Sequence, residues 1–345
     1  MANVLVQETP FKTISVEPLH PTFGASVSGV DFENTSDEQL REIIAAMAQY
    51  GVCVFRDTHL TDAGHVAFSR RLGALDDIGR FLTPQRKLRY AHLELFDASN
   101  LDDTGTIIDP HSPRAHAGRG NGIFHVDSSF NPRRASFSLL RAVAVPPPGA
   151  TTGGNTDFAD SRAAWDDLDP GVKEELLERD WTGAHCLAQS RKLGSPEYFR
   201  DVDPAVAPMA KHKIVQRHEA SGRFNLYVGA HLHHIEGDGM TPGASAELVA
   251  SLNERVTQDK NVLSVAWEQP GDLVIWDNRA VLHRAGKWDG DGKYARDMRR
   301  TTVHDDSPTA WGLNPVGSPM PTMASFTKGP VITNAAQAQA AVVKV

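Results

Sequence analysis

The sequence predicts a mainly β protein with flanking helices, in which a β-sandwich or jelly-roll core carries helical additions. Short strand-like segments separated by loops dominate the chain after residue 135, a pattern typical of sandwich and jelly-roll cores. A few capped helical segments accompany them. No internal repeat and no G-x-G-x-x-G or G-x-x-x-x-G-K-[ST] motif occurs, which disfavours solenoids, propellers and Rossmann or P-loop folds.

Sequence patterns in the N-terminal part of the chain predict two helices and a strand. Ser36 and Gln39 form an S-x-x-Q capping box before a run with apolar residues at i, i+3, i+4 and i+7, which indicates an amphipathic helix. Gly51 suits the end of this helix, and residues 52–55 then read as a short buried strand. A second helix is predicted over 61–72, before a glycine.

The remaining elements follow from shorter patterns. Residues 100–121 are rich in Gly, Asp, Pro and His without a steady period, so we predict a long functional or irregular loop. One helix has Asp169 as N-cap and Pro170 at its first position. The predicted strands are 136–145, 213–217, 224–228, 272–276 and 298–303, and the predicted helices are 162–168, 171–179 and 244–258. The tail after residue 307 is expected to wrap the surface or fray.

Composition excludes several classes of function. The formal net charge of −8 and a pI near 6.0 argue against a nucleic-acid binder, which needs a basic face. No run of about 18 apolar residues is present, so no membrane span is expected. Cys53 and Cys186 are the two cysteines and predict free thiols in a reducing compartment. The N-terminus lacks a signal-peptide pattern, and a cytoplasmic location is expected.

A candidate metal site begins at His125 and Asp127 in the stretch GIFHVDSSF. If this stretch is extended, both side chains project from one face and can share a metal ion. Two histidines and one carboxylate leave three coordination positions open, which is diagnostic of non-haem Fe(II) oxygenases.

His-x-acid pairs also arise by chance. His92, His234 and His304 each begin such a pair, and His304 has no later histidine to complete a set. The second histidine is therefore sought downstream. His283 follows the apolar run in GDLVIWDNRAVLHRAG, which predicts a buried strand beside it.

An arginine cluster follows His283 in the segment RDMRRTTV. If a strand begins there, Arg296 and Arg300 share one face with Met298, whereas Arg299 points away. Guanidinium groups bind carboxylates in a bidentate manner. Two of them near a dication therefore predict one or two carboxylate ligands.

The chain resembles the taurine dioxygenase superfamily, and within it the 2,4-dichlorophenoxyacetate dioxygenase type. The resemblance runs from about Pro18 to Asp306, which leaves 1–17 as an extension and 307–345 as a tail. It implies a double-stranded β-helix with extra helices. The segments that carry it are LGALDD, FHVDSSF, GGNTDFADSRAAWDDL, VGAHLHHIEG, WDNRAVLHRA and RRTTVHDD.

Roles for individual residues follow from this resemblance. His125, Asp127 and His283 match the iron ligands of the family. Thr156 and Arg296 match the residues that bind the distal carboxylate of 2-oxoglutarate. Arg300 is similar to the residue that meets the acidic group of the substrate. Asn121 and the loop 79–86 are also expected to line the substrate pocket, although the sequence departs most from the family at these positions.

The resemblance implies an Fe(II)- and 2-oxoglutarate-dependent dioxygenase that consumes O2. The expected substrate is a small carboxylate such as an amino acid or an aryloxyacetate, without nucleic-acid or membrane partners. Hydroxylation, cleavage, desaturation and cyclisation stay open as outcomes, as does a homo-oligomeric state. Alternatives are a sulfonate substrate, an O2-independent metal lyase, isomerase or hydrolase on a jelly roll, and a non-catalytic carboxylate binder.

Overall fold

A computed structural model of the chain describes residues 11–82 and 88–322, so the predicted pocket loop 79–86 extends outside the described residues. The α-helices are α1 (Asp37–Tyr50), α2 (Asp62–Leu72), α3 (Pro113–Gly118), α4 (Ser161–Asp166), α5 (Pro170–Arg179), α6 (Leu187–Gly194) and α7 (Pro242–Val256). The strands are β1 (Ser15–Pro18), β2 (Ala25–Ser28), β3 (Val52–Phe55), β4 (Phe96–Asp97), β5 (Ala135–Ala144), β6 (Thr156–Asp160), β7 (Thr182–His185), β8 (Ala210–Lys213), β9 (Val215–Arg217), β10 (Phe224–Leu226), β11 (Leu232–Glu236), β12 (Val262–Val265), β13 (Leu273–Asp277), β14 (Val281–Ala285) and β15 (Asp297–His304).

The predicted ends of the first two helices are confirmed. The Ser36 hydroxyl accepts a hydrogen bond from the Gln39 N–H, and Gly51 closes α1 in the left-handed region at φ 72°. In α2, Thr61 caps the first turn in the same way. The second half of the capping box is not formed, because the Gln39 side chain donates to the Gly29 carbonyl instead.

Several other predictions need correction. The single strand predicted over 213–217 is two strands, β8 and β9, which are separated at Ile214, whose N–H donates to the Trp181 carbonyl. The loop predicted over 100–121 contains α3 and a 3-10 turn at Arg119–Gly122. His283 was expected just beyond a strand, but it lies inside β14, because residues 278–280 turn the chain directly into a new strand.

Two sheets make up the centre of the fold. The larger has seven strands in the order β1-β2-β3-β13-β5-β15-β4, and the smaller has the order β12-β6-β14. Their facing sides share one apolar core that includes Val54, Leu140 and Trp276 from the larger sheet and Phe158 and Val281 from the smaller. The chain is therefore sheet-rich, with two sheets packed against each other.

Helices cover the outer side of the larger sheet. Cys53 and Ile275 point to this side and pack with Ile43 and Met47 of α1 and Phe68 of α2. Because β3 is buried on both faces, its whole sequence is apolar, as expected for a strand between two layers. The cysteines Cys53 and Cys186 are both free, as predicted.

The described part of the C-terminal tail, residues 307–322, contacts the body of the protein. The Arg134 N–H donates to the Ala310 carbonyl over 2.9 Å, and the Leu313 N–H donates to the Lys211 carbonyl over 3.0 Å. The Asn314 side chain accepts the Lys211 N–H in return. Within residues 11–82 and 88–322, no helix combines the length and apolar character that a bilayer span requires.

Candidate active site

Two histidines meet at the edge of the smaller sheet. His125 forms an isolated antiparallel bridge with His283 of β14, and each backbone N–H donates to the carbonyl of the other over 2.9 Å. Their ring centroids lie 4.2 Å apart. The sheet therefore sets the spacing of the two imidazoles.

Asp127 completes this set. Its Oδ1 lies 3.8 Å from His125 Nε2, and its Oδ2 lies 3.7 Å from His283 Nε2. All three residues are buried, and one ligand atom from each lies within 4.8 Å of the others. Among the described residues this is the one group of at least three His, Cys, Asp or Glu side chains close enough to hold a metal ion, so the pairs at His92, His234 and His304 gain no third ligand.

The protonation chemistry of the set suits a divalent iron ion. Burial lowers the pKa of His125 and lowers that of His283 well below its ordinary value, so both rings are neutral and can ligate. His125 Nδ1 lies 2.8 Å from the Ile123 carbonyl, which orients the ring and leaves Nε2 for a metal. Burial raises the pKa of Asp127, but the charge of Arg300 and the hydrogen bond from Ser138 favour the ionised form and lower this pKa below its ordinary value, so the carboxylate is ionised.

Two residues that sequence reasoning missed, Ser138 and Asn278, contact Asp127. Ser138 of β5 donates its hydroxyl to Asp127 Oδ2 over 2.8 Å. Asn278 accepts the Asp127 backbone N–H over 3.2 Å and also accepts the indole N–H of Trp276. The WDN segment before His283, which is part of the motif WDNRAVLHRA, was the signal for Trp276 and Asn278, whereas no motif pointed to Ser138.

Arg296 is a cation without an acidic partner. Its guanidinium donates to the Gly154 carbonyl over 3.0 Å, and no carboxylate in the described chain lies within ion-pair distance of it. Burial lowers the pKa of Arg296 to about 10. By contrast, Arg299 pairs with Asp62 and Asp297. The predicted alternation is confirmed, because Arg296 and Arg300 line the central cavity and Arg299 is absent from its described wall.

Arg300 lies directly beside the candidate metal ligands. Its Nη1 donates to Asp127 Oδ1 over 2.7 Å, and its guanidinium lies 4.7 Å above the Phe96 ring. Among the described residues the bond to Asp127 is the one hydrogen bond that the Arg300 side chain makes, and the side chain is 18% exposed at the cavity wall. Arg300 therefore has donor capacity left for a second anion.

Thr156 and Asn121 occupy different environments. Thr156, at the start of β6, is 3% exposed, and its hydroxyl accepts the indole N–H of Trp267 over 3.0 Å. The described cavity wall does not include Thr156, although Arg296 reaches Gly154, two residues earlier. Asn121 is exposed and lines the cavity from the turn after α3.

A cavity of about 1370 Å³ opens in front of the metal-ligand candidates. His125 and Asp127 form part of its wall, together with segments of α3 and α6. His231, which sequence reasoning missed, also lines it and contacts His125 edge-on at 5.4 Å. Aromatic side chains also line the cavity, among them Phe96, Phe130, Tyr198, Phe199 and Trp288.

Two packed sheets, a buried His-Asp-His set and an unpaired arginine at one cavity define a non-haem iron oxygenase that uses a dicarboxylate cosubstrate. Comparison with known proteins agrees. The chain belongs to the taurine catabolism dioxygenase TauD, TfdA family, whose model matches residues 15–302. It is an Fe(II)- and 2-oxoglutarate-dependent dioxygenase, with 2-oxoglutarate and O2 as cosubstrates.

Two curated relatives and one solved structure illustrate the similarity. The α-ketoglutarate-dependent 2,4-dichlorophenoxyacetate dioxygenase of Cupriavidus pinatubonensis is 35% identical over 86% of this chain and 99% of its own. The (S)-phenoxypropionate/α-ketoglutarate dioxygenase of Sphingobium herbicidovorans is 32% identical over 79% of this chain and 90% of its own. The crystal structure of AAD-2 with Mn(II) and N-oxalylglycine has a TM-score of 0.77 at 36% identity. The match covers 86% of this chain and 100% of the AAD-2 chain.

Proposed function

We propose that this enzyme oxidises a small organic carboxylate, with an aryloxyalkanoate as the favoured class, at an Fe(II) ion held by His125, Asp127 and His283. The observation that carries the proposal is the arrangement of Arg300. Its Nη1 contacts Asp127, while its guanidinium lies at the cavity wall beside Phe96 and makes no other hydrogen bond to the described residues. An aromatic anion matches both features, because arginine binds carboxylates and aromatic rings pack against each other.

Binding of 2-oxoglutarate is assigned to Arg296. Arg296, which is partly buried and has no carboxylate partner among the described residues, suits the distal carboxylate, since such a cation gains more from an incoming anion than one that is already paired. Thr156 is proposed to donate its hydroxyl to the same carboxylate. When bound, iron supplies the oxidation of a substrate C–H bond by O2, coupled to the decarboxylation of 2-oxoglutarate to succinate and CO2.

The protein's own groups orient the reactants and exclude water. Arg300 holds the acidic end of the substrate near Asp127, and the aromatic wall that includes Phe96 and Phe130 holds its apolar body. Such positioning removes much of the entropy cost of bringing the reactants together. Asn121 and His231 line the same space and are proposed to contact substrate.

The relatives' phenoxy acids support the aryloxyalkanoate class. Hydroxylation at the carbon next to an ether oxygen gives a hemiacetal, which releases a phenol and an oxo acid. Desaturation and ring closure use the same set of metal ligands, so the products distinguish these outcomes.

The proposal is tested by a substrate panel with succinate release as the readout. Aryloxyacetates, 2-aryloxypropionates, amino acids, sulfonates and alkyl sulfates are supplied with Fe(II), 2-oxoglutarate and ascorbate. We expect aryloxyalkanoates to stimulate succinate release, with a phenol as coproduct. Stimulation by sulfonates or sulfates alone would refute the carboxylate assignment, and substrate turnover without succinate release would favour an O2-independent metal enzyme.

Four further properties are part of the proposal. The two packed sheets are inferred to form a double-stranded β-helix (jelly roll), which their shared core supports. A cytoplasmic location is supported by two free buried cysteines, and a homo-oligomer is proposed. The dioxygenase domain is proposed to span 18–306 between an extension, 1–17, and a tail, 307–345, although β1 (Ser15–Pro18) crosses the first boundary.

A further inference from the structure

The Asn278 side chain uses its whole hydrogen-bonding capacity inside the protein. Its Oδ1 accepts the indole N–H of Trp276 over 3.0 Å and the backbone N–H of Asp127 over 3.2 Å. Its Nδ2 donates to the Ser136 carbonyl over 3.1 Å and to the Ser138 hydroxyl over 3.0 Å. Asn278 is 1% exposed, so water does not compete for these bonds.

These partners determine which way the amide faces. An indole N–H and a backbone N–H can only donate, so both require the amide oxygen. The opposite side of Asn278 must therefore present its NH2 group to Ser136 and Ser138. The orientation of the amide thus follows from the chemistry of its neighbours.

The direction of the Ser138 hydroxyl follows in turn. Because Ser138 Oγ accepts a hydrogen bond from Asn278, its own proton is available for Asp127 Oδ2, which lies 2.8 Å away. Arg300 occupies the other oxygen of the same carboxylate over 2.7 Å. Both carboxylate oxygens are thus held, and rotation of the Asp127 carboxylate would break at least one charge-assisted hydrogen bond.

We propose that Ser138 and Asn278 are positioning residues that hold Asp127 in the orientation needed to bind the metal. The inference rests on the proposed metal site, and it assigns these two residues a role in metal affinity. The same segment also supports the second histidine, because the Trp276 ring lies 4.5 Å from that of His283. Partners of metal ligands commonly change metal affinity by about 10–100-fold when they are removed.

Ser136 offers a matched control two residues from Ser138 on β5. Both side chains are buried, at 2% and 0% exposure. The Ser136 hydroxyl, however, donates to the carbonyls of Val303 and His304 and not to Asp127. Ser136→Ala and Ser138→Ala therefore remove the same atoms from the same strand, but only the second removes a contact to a proposed ligand.

The experiment measures Mn(II) affinity of the full chain by anaerobic calorimetric titration, with the thermal midpoint recorded for each variant. We expect Ser138→Ala to raise the Mn(II) Kd about tenfold or more, with Ser136→Ala close to the parent. Ser138→Cys, which keeps the volume with a weaker donor, should lie between them and serves if Ser138→Ala does not fold. Ser138→Thr, which keeps the hydroxyl, should recover affinity.

Asp127→Ala separates the two levels of the proposal. If this variant binds Mn(II) like the parent, the proposed metal site itself is wrong. If Asp127→Ala loses binding but Ser138→Ala and Ser138→Cys retain parental affinity, the metal site stands and the positioning role is overturned. Equal losses in the Ser136 and Ser138 variants would also overturn it, because they would indicate a general effect of altering β5.

Discussion

His125 and His283 are joined by two backbone hydrogen bonds, in which each residue donates its N–H to the carbonyl of the other over 2.9 Å. The residues are distant in sequence, yet this isolated antiparallel bridge makes His125 a direct neighbour of His283 in β14. In such a pair the side chains lie on the same face of the sheet. The separation of the imidazoles is thus a property of strand pairing, and disturbances of the backbone at this bridge should reach the metal site.

Gly229 provides one test of this relationship. A Cβ at this position would lie 3.0 Å from His125 Cα and 3.1 Å from the Phe124 oxygen, at a φ of +119°. We expect Gly229→Ala to displace His125 and to raise the Mn(II) Kd about tenfold. Gly222→Ala is the control, because its φ is also positive, at +70°, but its Cβ would meet only an arginine side-chain nitrogen at 3.7 Å. Parental metal affinity in Gly229→Ala would contradict the prediction.

The two neighbouring arginines should respond oppositely to substitution. Arg296→Gln removes a partly buried cation without a carboxylate partner, so we expect 2-oxoglutarate affinity to fall about 100-fold or more, while the thermal midpoint stays constant or rises. Arg299→Gln breaks ion pairs with Asp62 and Asp297. It should lower the midpoint and leave 2-oxoglutarate affinity within about twofold of the parent. Anaerobic 2-oxoglutarate titration and thermal melts distinguish the two patterns, and loss of 2-oxoglutarate binding in both variants would be inconsistent with the assignment.

Trp267 is expected to set the direction of the Thr156 hydroxyl. Its indole N–H occupies an acceptor site on Thr156 Oγ1 over 3.0 Å, which leaves the hydroxyl proton for the cosubstrate. Trp267→Phe should weaken 2-oxoglutarate binding by roughly 2–10-fold, because one hydrogen bond contributes about 0.5–1.5 kcal/mol. Trp181→Phe is the control, since this indole donates to the Asp238 carbonyl, away from the site. An unchanged 2-oxoglutarate Kd in Trp267→Phe would contradict the prediction that Trp267 orients the Thr156 hydroxyl toward the cosubstrate.

Buried histidines should make the protein less stable in acid. Burial lowers the folded-state pKa of His65 to about 3 and of His212 to about 4, from 6.5. The unfolded chain therefore binds more protons below pH 6.5, so stability is complete above that pH and is lost as the pH falls toward 4. Each group contributes a slope of up to about 1.4 kcal/mol per pH unit in the free energy of unfolding.

Urea unfolding between pH 7.5 and pH 4.5 measures this slope. His212→Gln keeps a donor for the Asn131 carbonyl, which lies 3.0 Å from His212 Nε2, and it removes the titration. Its slope should therefore be smaller than that of the parent. His59→Gln, at a side chain that is 82% exposed, should match the parent, and equal slopes in all three proteins would count against the prediction.

Local patterns in the sequence were sufficient for features that depend on neighbouring residues. The capping box at Ser36, the helix predicted over 61–72 and the strands predicted over 136–145, 272–276 and 298–303 lie close to the elements observed. The alternation of Arg296 and Arg300 around Met298 also predicted a shared face, because strand periodicity is a local property.

Features that depend on strand pairing were not accessible in this way. Ser138 meets Asp127 and Asn278 only because β5 lies beside β13 in the larger sheet. Gln39 met the sequence rule for a capping box, but a tertiary contact with the Gly29 carbonyl replaced the local one. The strands β7 and β11 escaped prediction because their Gly- and His-containing sequences lack a regular apolar alternation.

The cavity wall is divided between the sheets and the outer segments, and this division affects how the substrate preference of such an enzyme can change. The proposed metal ligands and the two arginines belong to the sheets or adjoin them, whereas α3, α6 and the segments around them supply the more distant surface. Mutations in those outer segments can reshape the space for a substrate while leaving the oxidative machinery intact. The division makes new substrate preferences accessible by a few changes, and it identifies α3 and α6 as the regions to randomise in directed evolution.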